Sequence, residues 1–161
     1  MYCEGAGYCG SAGSLFFRRL FEEEKKIMTN KEKAIALHDK RYNCAQAVLL
    51  SMCDELGVDT QTAFKMAEGF GLGMGSMENT CGALSGAIML AGLKYSDGDL
   101  ESPKTKASTY KLCRDMTEAF KEKTGALVCK DLKGIETGVV VCSCPDCIRA
   151  GVEVAEEFLG L

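Results

Sequence analysis

From Asn30 onward, apolar residues recur at three- and four-residue steps, and no stretch alternates apolar with polar for long enough to build a sheet. That period matches the helix repeat of 3.6 and not the strand repeat of two, so the chain is expected to be all-α. Ala34, Leu37, Cys44, Ala47, Val48, Leu50 and Met52 trace a first helix from Asn30 up to a stop at Gly57. Asp59 can cap a second, from Thr60 to about Phe70, before Gly69, Gly71, Gly73 and Gly75 break the pattern. A third runs from near Cys81 to about Lys94. Ser102 and Pro103 read as the N-cap and first residue of a long helix ending at Gly125. Cys129 opens a short turn that closes near Gly134, Val139 to Val141 read as a brief extended segment, and a last helix runs from Cys144-Pro145 to about Gly160. The expected architecture is a single-domain bundle of about five helices with a Gly-rich loop and short connectors.

At 161 residues and 47% hydrophobic, such a chain can bury a core without disulfide staples. Its ten cysteines therefore call for another explanation, metal ligation or redox chemistry. Residues 28–161 are expected to form the helical cysteine-rich domain. Residues 1–27 read either as sequence upstream of a natural start at Met28 or as a loose tail, and both readings set Cys3 and Cys9 apart from any site. Leu15-Phe16-Phe17 is too short for a signal-peptide core, and Arg18-Arg19 follow it rather than precede it. The longest apolar stretch, Ala83 to Leu93, falls short of the ~20 residues that cross a bilayer. The expected location is the cytoplasm, with thiols mostly reduced and no membrane partner. A net charge of −4, with lysines interleaved among acids, leaves no basic stripe for nucleic acid.

Cys142-Ser143-Cys144-Pro145-Asp146-Cys147 is the sharpest local motif. With Pro145 as first helical residue, Cys144 becomes the N-cap, where free N–H groups and the helix dipole favour a thiolate. Cys147 lies one turn on, so Cys144 and Cys147 can share one disulfide or one metal. The motif lacks the following His of a c-type haem attachment, so no covalent haem is expected. Cys81 falls near a helix start behind the glycine loop, whose N–H groups can cradle an anion or the sulfides of a cluster. Gly82 and Gly86 share a helix face and would admit another backbone or a bulky cofactor. Cys44 is read within the first helix, Cys53 and Cys113 as core thiols, and Cys129 as ligand-like on a short connector. His38, the only histidine, is read as solvated beside Asp39 and Lys40.

These blocks resemble the C_GCAxxG_C_C family of redox-active proteins. The resemblance rests on Tyr42-Asn43-Cys44-Ala45-Gln46-Ala47-Val48, on the loop Gly69 to Gly75, and on Thr80-Cys81-Gly82-Ala83-Leu84-Ser85-Gly86-Ala87. It continues through Val128-Cys129-Lys130-Asp131-Leu132 and Cys144-Pro145. It implies that the family cysteines are Cys44, Cys81, Cys129 and one of Cys142, Cys144 or Cys147, with Cys144 favoured by its proline. Related domains occur in split-Soret cytochromes, which implies electron transfer.

Three functions follow as expectations. The first is electron transfer to a redox partner protein through an iron–sulfur cluster or other metal held by Cys44, Cys81, Cys129 and Cys144, with Gly82 and Gly86 close to the cofactor. The second is a thiol–disulfide oxidoreductase in which Cys144 attacks and Cys147 resolves. The third is a non-catalytic helical module with packed cysteines and Gly82 and Gly86 at a homodimer interface.

Overall fold

The computed structural model describes residues 28–161; the readings of the N-terminal tail, with Cys3 and Cys9, lie outside them. The described residues are all-α, with no strands. They form seven helices rather than about five: α1 (Asn30–Asp39), α2 (Cys44–Met52), α3 (Thr60–Ala67), α4 (Gly82–Tyr95), α5 (Lys106–Thr124), α6 (Cys129–Lys133) and α7 (Cys144–Leu159).

The count rises because the expected first helix is two. Arg41 takes φ +72°, which ends α1 at Asp39. Asn43 then starts α2 with a capping box: its side chain accepts from the Gln46 N–H, and the Gln46 side chain accepts from the Asn43 N–H, both at 3.0 Å. The apolar period alone could not show this break, because it runs in phase through both helices. The short Cys129 segment also closes as a helical turn of its own, ended by Gly134 at φ +65°. The long helix begins later than expected. Thr105 is its N-cap, so Ser102 and Pro103 lie in the preceding loop. Ser143, and not Cys144, caps α7, its side chain accepting from the Asp146 N–H. Cys144 is therefore the first helical residue. Val139 to Val141 form no strand and stay exposed.

α4 is the centre of the bundle and packs on α2, α5 and α7. Its small residues make this possible. A Cβ on Gly86 would lie 2.6 Å from the Ala45 carbonyl oxygen, and one on Gly82 would lie 3.2 Å from the Ala45 nitrogen. On α7, a Cβ on Gly151 would lie 2.8 Å from the Ala83 carbonyl oxygen. These contacts bring backbone against backbone, with Val48, Leu84, Leu90, Phe120, Ile148 and Val152 filling the rest of the core. The face bearing Gly82 and Gly86 is thus occupied within the chain, which removes it as a homodimer surface. Cys53 is fully buried, as expected, and Cys113 half-buried.

Candidate functional site

Four helices begin at one place. Cys44 is the first residue of α2, Cys81 the N-cap of α4, Cys129 the first residue of α6, and Cys144 the first residue of α7. All four, with Cys142 and Cys147, line one cavity of about 210 Å³. A larger, mostly apolar groove of about 880 Å³ between α4 and α5 reaches Cys113 alone among the described thiols, so the thiols gather at the smaller cavity.

Local hydrogen bonds bring these helix starts together. The residues before α4 and before α6 are stitched antiparallel: the Cys81 N–H donates to Leu127 O at 2.8 Å, Cys129 N–H to Asn79 O at 3.0 Å and Lys130 N–H to Met77 O at 2.9 Å. This sets Cys81 beside Cys129. The N–H groups of Val141 and Cys142 both donate to Leu132 O, at 2.9 and 3.1 Å, which draws the approach to α7 against α6. The Asn43 side-chain amide donates to Glu68 O at 3.0 Å and ties the head of α2 to the end of α3.

The glycine loop closes the floor. Leu72, Gly73, Met74 and Gly75 have φ of +52°, +55°, +56° and +79°, a left-handed turn. Each non-glycine residue there costs about 1–2 kcal/mol, and Leu72 lines the cavity. A Cβ on Gly73 would lie 2.7 Å from the Cys129 Cβ, so glycine is what lets the loop approach the thiol. The loop bonds to itself, with the Gly75 N–H donating to Gly71 O at 2.9 Å and the Met77 N–H to Leu72 O at 2.8 Å.

The thiols associate in pairs. Cys144 accepts a hydrogen bond from the Cys44 thiol, and the Lys133 ammonium stands beside it; together these hold its thiol at about 5. The Cys44 proton is retained because its thiol bonds the Cys144 sulfur and is buried. Deeper in, the Cys147 thiol donates to Cys81, which lowers Cys81 and raises Cys147. The Ala83 and Leu84 N–H groups at the head of α4 also favour a Cys81 thiolate, from beyond capping distance. The Cys147 sulfur also contacts Cys142 O at 3.8 Å. Burial raises Cys129 and Cys142. Among the described residues, no three His, Cys, Asp or Glu side chains gather closely enough to hold a metal ion.

Of the residues singled out in the sequence, Cys44, Cys81, Cys129, Cys144, Cys147 and Gly82 meet at the cavity. Gly86 does not, being buried against Ala45 and Val48. Cys144 takes Cys44 as its thiol partner, on another helix, while its motif neighbour Cys147 pairs with Cys81.

Two residues escaped the sequence reading. Lys133, one of many lysines read as solvated, is half-buried against Cys144; its spacing of four from Cys129 was the available signal. His38, read as solvated, lines the cavity and favours the Cys144 thiolate when charged. It sits in the last turn of α1, which the Arg41 turn folds back towards Cys44, and nothing local marks that.

A family model described as "Putative redox-active protein (C_GCAxxG_C_C)" matches residues 42–158. No curated protein and no solved structure matches the chain.

Proposed function

The chain belongs to the C_GCAxxG_C_C family of redox-active proteins, and from that premise we propose that it exchanges thiols and disulfides through Cys144 and Cys44. The observation that carries this reading is the half-buried Cys144 sulfur at the head of α7, flanked by the Cys44 thiol and the Lys133 ammonium. A reactive thiol needs the thiolate form and access, and this arrangement supplies both.

The reaction balances without further groups. The Cys144 thiolate attacks a substrate disulfide, a bond forms between Cys144 and one substrate sulfur, and the other leaves as thiolate and takes up a proton. The negative charge that kept Cys44 protonated is then gone. Cys44 loses its proton, attacks the Cys144 sulfur and expels the second substrate thiolate. The protein dithiol becomes a disulfide while the substrate disulfide becomes two thiols, and the reverse direction uses the same steps. The substrate is a disulfide on a redox partner protein.

Cys44→Ser is the test. With the resolving thiol gone, Cys144 should accumulate a mixed disulfide with oxidised glutathione, seen as an added glutathione mass on the Cys144 peptide. Wild type should instead form a Cys44–Cys144 disulfide and shed the glutathione. Equal, transient glutathionylation in both proteins would defeat the assignment. Stoichiometric iron and sulfide, or zinc, in anaerobically purified protein would instead give the cavity to the cysteine-ligated centre considered from the sequence.

A further inference from the structure

We infer that the buried Cys81/Cys147 pair is a second redox dithiol, loaded from Cys44/Cys144 by disulfide exchange inside the cavity, so that one chain stores two disulfides. The inference rests on the exchange chemistry proposed for Cys144 and adds to it.

The two pairs are built alike. Each has one member on α7, Cys144 and then Cys147 one turn on, on the same helix face. Each has its other member at a helix start, Cys44 at the head of α2 and Cys81 at the head of α4. The pairs differ in access. Cys44 and Cys144 are half-buried, whereas Cys81 and Cys147 are 4% and 2% exposed. A disulfide carried on another molecule can reach the first pair and not the second. Among the described residues, the sulfurs that share its cavity are the neighbours able to oxidise the deeper pair.

Gly82 supplies the crossing point. A Cβ on Gly82 would lie 3.3 Å from the Cys44 Cβ, so the missing side chain lets the head of α2 press against the head of α4, where Cys81 precedes Gly82. In the exchange, the Cys81 sulfur attacks the Cys44 sulfur of the Cys44–Cys144 disulfide. A Cys81–Cys44 bond forms and Cys144 leaves as the thiolate beside Lys133. Cys147 then loses its proton and attacks the Cys81 sulfur, forming Cys81–Cys147 and releasing Cys44, which is protonated. One disulfide has moved inward, two thiols have been restored outside, and no outside reductant or oxidant is consumed. A second substrate disulfide then reoxidises Cys44/Cys144.

The test titrates the reduced full chain with oxidised glutathione, quenches with acid at intervals, and maps disulfides by mass spectrometry without reduction. Cys44–Cys144 should form first, Cys81–Cys147 should appear at its expense, and uptake should continue to two disulfides per chain. Cys147→Ala should stop at one, Cys44–Cys144. Cys144→Ala should slow formation of Cys81–Cys147 by at least about tenfold, because the accessible thiolate is the entry point. Wild type that halts at Cys44–Cys144, or Cys81–Cys147 forming equally fast in Cys144→Ala, overturns the relay. The double variant Cys81→Ala/Cys147→Ala separates the two readings: if it still forms Cys44–Cys144 the exchange chemistry stands alone, and if it forms none both fall. Should a variant fail to fold by circular dichroism, the order of appearance in wild type still decides.

Discussion

Replacing Cys44 with Ala removes the largest influence on the Cys144 thiolate, the hydrogen bond from the neighbouring thiol. Cys144 is held at about 5 against an ordinary thiol value of 9.0. At pH 7 a thiol at 5 is almost wholly thiolate, and one at 9 is about one part in a hundred thiolate. Reactivity at pH 7 need not fall hundredfold, however. Intrinsic nucleophilicity rises with basicity with a Brønsted slope of about 0.4–0.5, which over that range returns roughly 40–100-fold. The two effects nearly cancel, so the rate at neutral pH is a poor readout and the pH profile is the informative one. Iodoacetamide alkylation, followed at the Cys144 peptide by mass spectrometry, should be flat above about pH 6 in wild type with a midpoint near 5. In Cys44→Ala the midpoint should climb towards the ordinary thiol range, and the rate at pH 9 should exceed the wild-type plateau many-fold. Lys133→Met should move the midpoint the same way but less far, since Lys133 is the lesser influence. A wild-type midpoint near 9, or one near 5 that Cys44→Ala leaves in place, would refute the reasoning.

Gly86→Ala should destabilise the fold by about 1–3 kcal/mol in urea titration, because the new methyl meets the Ala45 carbonyl oxygen at 2.6 Å, an overpacking cost that outweighs the ~1 kcal/mol helix-propensity gain. An unchanged midpoint would mean that α2 and α4 separate easily. Asn43→Ala should cost about 1 kcal/mol through loss of the α2 cap and should also raise the Cys144 alkylation midpoint by loosening Cys44; stability loss with an unmoved midpoint would uncouple cap from site. Under reducing conditions the urea midpoint should rise with pH between about 5 and 9. Cys144 and Cys81 are lowered in the folded state, so their contribution is complete above the unfolded thiol value and disappears as pH falls through the folded one. Above about 9 the trend should reverse, because Cys44 and Cys147 are raised and stay protonated in the folded chain while the unfolded chain loses those protons. The carboxylates held low by hydrogen bonds or ion pairs, Asp59, Asp97, Asp146 and Glu153, act only at lower pH. A flat profile from 5 to 9 would contradict the thiolate assignment.

Much of the fold could be read along the chain because its causes are local. Gly57, Gly125, Gly134 and Gly160 do end helical segments in left-handed conformation, and the starts near Thr60, Cys81, Cys129 and Cys144 fall within a residue of expectation. Helix periodicity and capping involve residues three or four apart, so a linear reading reaches them. Cys81, Cys129 and Cys144 were legible as helix-start residues for the same reason, whereas Cys44 was read inside a helix and was singled out by the family resemblance. The break between α1 and α2 was missed because Arg41, a non-glycine residue, carries the left-handed turn there.

What the cysteines do to one another belongs to the tertiary structure. In sequence, Cys144 is nearest to Cys142 and Cys147; in the fold its partner is Cys44, a hundred residues away. That pairing depends on three glycines, Gly82, Gly86 and Gly151, letting α2, α4 and α7 approach backbone to backbone. It depends also on the stitch between Met77–Cys81 and Leu127–Lys130, which sets the α6 turn bearing Lys133 beside the cavity. Local composition determines that a segment is helical and where it starts. Which helix starts meet, and so which sulfur holds the proton and which the charge, is decided by packing between residues far apart in the chain, and only the assembled core brings those charges close enough to couple.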